Sequence, residues 1–164
     1  MNEMICIGKI VGTHGIKGEL RILSNFEKKL AVFTPNFKIY FGSNYEEFKI
    51  TNYRHHKNYE MITLEGISNI NEVLKYKGMF VYIKRSDLRL TKNEYLLDEL
   101  IGMVILHDKK ELGKVGNIVY NNANILMEIK GARNFYIPIN DNFIVDVNLD
   151  KKEIIVKNIE GLII

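Results

Sequence analysis

Short apolar runs of strand length, separated by Gly, Asn, Asp and Ser, recur along almost the whole chain. In the first half they lie at residues 5–11, 19–23, 37–41, 48–53, 61–64 and 79–83. In the second half they lie at 102–106, 112–119, 125–129, 135–137, 143–147 and 154–156. Many short β-rich segments with turn residues between them predict small barrels or sandwiches rather than a parallel sheet with crossover helices. One segment breaks the pattern. Ile70, Val73 and Leu74 fall at i, i+3 and i+4, Asn69 stands three residues before Glu72, and Gly78 follows. That combination predicts one short helix over 68–78, laid on a β unit.

Periodicity fades and charges crowd between 86 and 94, so the chain is expected to form two domains, 1–88 and 95–164, with 89–94 as linker. With 164 residues in all, each half must close or cover the edges of a small core. The chain is 46% hydrophobic and 26% charged, which excludes disorder as the default. A single cysteine, Cys6, sits in an apolar run and reads as core packing in a reducing compartment. No apolar run reaches the roughly 18 residues of a membrane helix. The opening residues lack a basic leader pattern, so a soluble cytoplasmic protein is expected.

Charge is uneven. Residues 1–88 hold thirteen Lys and Arg against nine Asp and Glu; residues 89–164 hold ten against eleven. A positive first half permits contact with nucleic-acid phosphates without demanding it.

The glycine cluster Gly12-Thr13-His14-Gly15-Ile16-Lys17-Gly18 fails as a phosphate cradle. Lys17 occupies the second glycine of a P-loop, Thr13 interrupts a dinucleotide fingerprint, and a strand follows where a helix is needed. It reads as a tight β-turn that exposes His14 and Lys17. Among the histidines, His55 and His56 are adjacent and would face opposite sides of a strand, so no metal site is expected. Arg54-His55-His56-Lys57 is a small basic cluster at a hairpin end. No nucleophile elbow exists, and Asp98 and Glu99 read as capping or solvated carboxylates. Tyr95, Leu96 and Leu97 follow the charged segment directly, which makes them either interdomain packing or a patch for a protein partner.

Taken in order, these segments resemble the ribosome maturation factor RimM family. The stretch from Ile7 through Gly12-Thr13-His14-Gly15-Ile16-Lys17-Gly18 to Leu20 is similar to its opening. Leu64-Glu65-Gly66-Ile67 and Lys77-Gly78 fit its centre. Glu94-Tyr95, Asp98-Glu99-Leu100-Ile101-Gly102, Leu112-Gly113-Lys114-Val115-Gly116, Tyr136-Ile137-Pro138, Val145-Asp146-Val147 and Glu160-Gly161-Leu162 follow in the family's order. The resemblance implies a mainly β fold of two small barrels, the first like a translation-factor β-barrel and the second of PRC type. It implies a non-enzyme without cofactor that binds the immature small ribosomal subunit and promotes maturation of its head and processing of 16S rRNA. It further implies contact with small-subunit ribosomal protein S-nineteen through the second barrel. Of the family's two adjacent tyrosines Tyr95 matches the first, Leu96 replaces the second, and Leu97 stands where Trp is frequent. Asn124 replaces a frequent Asp. Protein contact is therefore expected at Tyr95, Leu96 and Leu97, and rRNA contact at His14, Lys17, Arg21, Arg54 and Lys57. A monomer is expected. Two other readings stay open: a PRC-barrel adaptor with a non-ribosomal protein partner, and a flavin- or nucleotide-binding reductase-like domain.

Overall fold

The computed structural model describes residues 3–91 and 93–163. Met1, Asn2, Lys92 and Ile164, which the expected domains and linker include, lie outside the described residues. The chain divides into two units, Met1–Leu90 and Thr91–Ile164.

The first unit is a closed six-stranded barrel. Its strands are β1 (Met4–His14), β2 (Glu19–Leu23), β3 (Lys38–Phe41), β4 (Glu46–His56), β5 (Tyr59–Leu64) and β6 (Phe80–Lys84). A single α-helical turn, α1 (Lys29–Val32), lies between β2 and β3. The barrel order is β1-β2-β5-β4-β3-β6, and every pairing is antiparallel. Closure leaves no free sheet edge, which is how a domain this small avoids exposing unpaired backbone. Ile10, Leu20, Ile22, Ile39, Ile50, Ile62 and Ile83 fill the interior with no measurable exposure. They alternate along their strands with outward-facing residues, as a pleated wall requires.

The expected helix over 68–78 takes a different form. Two 3-10 turns, at Ile70–Glu72 and Leu74–Tyr76, replace it. Val73 and Tyr76 are buried and Ile70 is half-buried, whereas Leu74 is exposed. The buried side chains thus recur every third residue, the repeat of a 3-10 helix, and the i+4 position faces out. Asn69 does cap the segment, but its side chain accepts from the Asn71 backbone N–H rather than completing a box with Glu72.

In the second unit six strands form one sheet in the order β10-β9-β8-β7-β12-β11. They are β7 (Val104–His107), β8 (Lys110–Asn121), β9 (Asn124–Lys130), β10 (Phe135–Pro138), β11 (Ile144–Asn148) and β12 (Glu153–Val156). β12 returns to pair in parallel with β7, while the remaining pairs are antiparallel. All six strands place side chains in one core, from Phe135 and Ile137 on β10 to Ile144 and Val147 on β11. The sheet therefore curls around that core in the manner of a small barrel. Pro138 sits on the end strand β10, where a missing N–H costs least.

A close backbone crossing fixes this curl. A Cβ placed on Gly113 would lie 2.3 Å from the Lys130 carbonyl oxygen, and one on Gly131 would lie 2.2 Å from that of Leu112. Only two glycines let the start of β8 and the end of β9 approach so closely.

Candidate functional site

The expected rRNA residues gather around one end of the first barrel. β1 ends at His14, and the turn through Gly15 and Gly18, with φ of 72° and 88°, delivers the chain to Glu19. Positive φ is what the glycines supply here, as a tight turn demands. Lys17 is exposed at this turn. Together with His14, Gly15, Ile16, Glu19, Asn52 and Thr63 it lines a shallow concavity of about 420 Å³.

Sheet register sorts the neighbouring charges. Arg21, Met61 and Arg54 are direct cross-strand partners on β2, β5 and β4, on the outer face. Met61 nevertheless has no exposure, so it is roofed from outside; the aliphatic stems of the flanking arginines suit that task. The Arg21 guanidinium lies 3.2 Å from His14 Nδ1 and 5.9 Å from the centre of the Tyr59 ring. His56, also outward, has its ring centre 6.5 Å from that of His14. Lys57, exposed at the β4–β5 turn, takes a left-handed φ of 55°.

Arg54 is engaged. Its Nε and Nη2 each donate to a Glu19 carboxylate oxygen at 2.8 Å, a bidentate pair. The Arg54 hydrogen bond holds the Glu19 carboxyl below its ordinary value, and this outweighs the opposing effect of burial. A carboxylate therefore stands among the cations expected to meet phosphate. The pairing joins residues thirty-five apart in sequence and follows from register alone; no local signal announces it.

His55 faces the other way, as adjacent strand residues must. Its Nδ1 lies 3.0 and 3.1 Å from the Glu60 carboxylate oxygens. Glu60 is 1% exposed and also accepts from the Tyr53 hydroxyl at 2.7 Å, with Lys29 Nζ 3.5 Å away. Burial alone would raise the Glu60 carboxyl. Hydrogen bonds from Tyr53 and His55, with the Lys29 charge, more than offset it and hold the group below its ordinary value. Tyr53 is pushed up to about 12 by burial and by the adjacent carboxylate. Sequence reasoning missed this cluster because a lone glutamate in a strand carries no sign that it points inward.

The residues expected to meet a protein partner sit at the start of the second unit. Leu96 is 4% exposed, whereas Tyr95 and Leu97 are half-buried against the second core. Leu96 is therefore buried, and of the three only Tyr95 and Leu97 leave side-chain surface exposed. A 3-10 turn, Leu97–Leu100, follows; the Glu99 carboxylate accepts from the Leu96 backbone N–H at 2.7 Å and the Glu99 N–H donates to the Leu96 carbonyl. Glu99 is thus a capping group. Among the described residues, no group of three or more His, Cys, Asp or Glu could hold a metal ion, and no helix is long and apolar enough to cross a membrane. Cys6 is exposed, not buried as its apolar neighbours suggest: it pairs with Tyr82 on the outer face of the barrel.

Comparison with known proteins places the chain. The family model for the RimM N-terminal domain matches residues 5–88, and that for the RimM PRC barrel domain matches 97–162. The chain is 34% identical over 162 residues to the ribosome maturation factor RimM of Staphylococcus haemolyticus (strain JCSC1435) and 35% identical to that of Staphylococcus aureus (strain NCTC 8325 / PS 47). Each alignment covers 96% of this chain and 97% of the relative. Among solved structures, RimM from Pseudomonas aeruginosa aligns over 94% of this chain and 97% of its own at 21% identity, with a TM-score of 0.43. The N-terminal domain of RimM from Thermus thermophilus aligns over 52% of this chain and 94% of its own at 19% identity, with a TM-score of 0.45. With both domains matched in order and relatives above one-third identity along nearly its whole length, the chain belongs to the RimM family.

Proposed function

We propose that this chain is a non-catalytic ribosome maturation factor acting in the cytoplasm on the immature small ribosomal subunit. It promotes maturation of the subunit head and processing of 16S rRNA. The observation that carries this reading is the near end-to-end similarity to proteins named ribosome maturation factor RimM. The first barrel faces rRNA through its cations, Lys17, Arg21, Arg54 and Lys57 with His14 beside them. The second unit engages ribosomal protein S-nineteen through Tyr95 and Leu97, held in place by the buried Leu96. A protein that binds one local RNA–protein arrangement more tightly than its precursor shifts assembly toward it by no more than that difference in affinity. No covalent step, cofactor or second copy of the chain enters this account.

Co-sedimentation tests it. Purified full-length protein is spun with source-matched immature small subunits, mature small subunits, large subunits and free RNA at two salt concentrations. Selective retention on immature small subunits is expected, and Tyr95→Ala should weaken it while leaving the protein folded. A folded sample that is retained on none of them would overturn the reading in favour of a non-ribosomal partner.

A further inference from the structure

The outer face of β1, β6 and β3 has a chemistry distinct from the arginine and histidine end. Lys9 on β1 pairs with Leu23 on β2 and with Phe80 on β6, all facing out. Its Nζ lies 5.6 Å from the centre of the Phe80 ring. Two residues along β6, Tyr82 pairs with Tyr40 of β3, and the Tyr45 ring meets Tyr82 edge-on at 5.0 Å. Lys84 Nζ lies 5.4 Å from the Tyr40 ring centre. Phe80 is 50% exposed and Tyr45 44% exposed. Half-exposed rings grouped on the outside of a closed barrel make an apolar patch of the kind that marks an interaction surface.

Two further observations point to a polyanion. Lys38 and Lys49 are direct cross-strand partners on this face, a like-charge pair that destabilises the sheet unless an anion relieves it. The Tyr40 hydroxyl is buried and has no hydrogen-bond partner among the described residues. Glu47, opposite Tyr40, is a carboxylate on this same face, between the Lys38–Lys49 pair and the turn that carries Tyr45, so phosphates pass to the β6 side of it.

We propose that this face is a stacking platform for single-stranded RNA. Bases stack on Phe80 and Tyr45, and the backbone phosphates follow Lys9, Lys84 and the Lys38–Lys49 pair. Rings that alternate with lysines on a sheet face suit single strands, because an unpaired base offers a free π-face and a duplex does not. The proposal rests on the ribosomal reading only for the source of the RNA; it names the form of nucleic acid that the first barrel takes.

The test uses the full-length protein and a labelled oligouridine of about a dozen nucleotides, long enough for one barrel-sized site. Binding is followed by anisotropy across a salt series and compared with a duplex of the same length. Wild type is expected to prefer the single strand. Replacing both rings, Phe80→Leu with Tyr45→Leu, keeps apolar area but removes stacking, and should weaken binding tenfold or more with the salt dependence unchanged. Phe80→Tyr should bind as wild type. Lys9→Gln with Lys84→Gln should reduce the slope of log affinity against log salt by about 1.4, the counterion release of two single-strand phosphate contacts. Unchanged amide exchange across β1 and β6 shows that each variant is folded. Equal binding of duplex and single strand, or full binding by the double leucine variant, would overturn the proposal. So would a loss of subunit binding in that variant with oligouridine binding intact, which would make the face a protein dock. Oligouridine binding without retention on any ribosomal subunit would instead sink the ribosomal reading and leave the platform standing.

Discussion

The two units share an aliphatic β core but differ in what else they enclose. In the first, a closed barrel buries a carboxylate, Glu60, among Tyr53, His55 and Lys29, and Ser24 is enclosed as well. Among the described residues the second unit buries no charged group, and its geometry depends on a glycine pair that lets backbone touch backbone. The first unit therefore carries an electrostatic vulnerability that the second lacks; close backbone approaches occur in both, at 2.7 Å between a Cβ on Gly8 and the Leu23 carbonyl oxygen in the first, and are tightest in the second. The difference extends to the surface, since the excess of basic residues lies in the first half of the chain.

The strongest way to break this contrast is Gly131→Ala. Its methyl would collide with the Leu112 carbonyl at a distance no side chain tolerates, and the colliding atom is backbone, which cannot swing away. A loss of about 3 kcal/mol is expected, at the upper end of overpacking effects. Amide exchange read by peptide should show β8 and β9 opening faster while β1 to β6 keep their protection. Protection lost equally in both units would mean that they unfold as one, and the contrast would describe structure but not stability.

Next in size is Glu60→Ala. It leaves the Tyr53 hydroxyl without its acceptor and Lys29 and His55 without their anion, a cost of about 2 kcal/mol. The same group sets a pH dependence. Its folded value lies below the ordinary 4.5, so its stabilisation is complete above that pH and is lost as pH falls through the folded value. Glu19, held low by Arg54, acts in the same direction. Acidification should therefore accelerate exchange in the first unit, and Glu60→Ala should flatten that response. An acid response that survives the substitution unchanged would place its origin elsewhere.

Much of the fold is legible in the sequence because strands and turns are local. The alternation through Glu19 to Leu23 and the turns around Asn121 and Asp108 need no distant information. The segment at 68–78 shows where local pattern falls short. Ile70, Val73 and Leu74 satisfy an α-helical stripe, yet the barrel core takes Val73 and Tyr76 and leaves Leu74 exposed. So short a stretch fits both repeats, and tertiary packing chooses between them. α1, one turn long, is too short to announce itself. The candidate site was legible by residue type but not by partnership. Arg54 reads as a free cation until register places Glu19 against it.

The smallest effect probes that partnership. If Glu19 quiets Arg54, Glu19→Gln should raise the affinity of the first barrel for RNA, since removing one negative charge strengthens the field that draws in a polyanion. About a twofold gain at low salt is expected, vanishing near 1 M salt, where screening confines the field to about 3 Å. The gain should also appear when Phe80 and Tyr45 are replaced, because it acts through field and not through the rings. A fall in affinity would carry a different meaning. Glu19 would then be holding the Arg54 guanidinium in the orientation that phosphate needs, as a bidentate carboxylate can. Arg54→Gln distinguishes the two: it should itself cost about twofold through the field, and adding Glu19→Gln to it should still raise affinity if Glu19 acts through the field, whereas the fall caused by Glu19→Gln should disappear in that background if Glu19 acts by aiming Arg54.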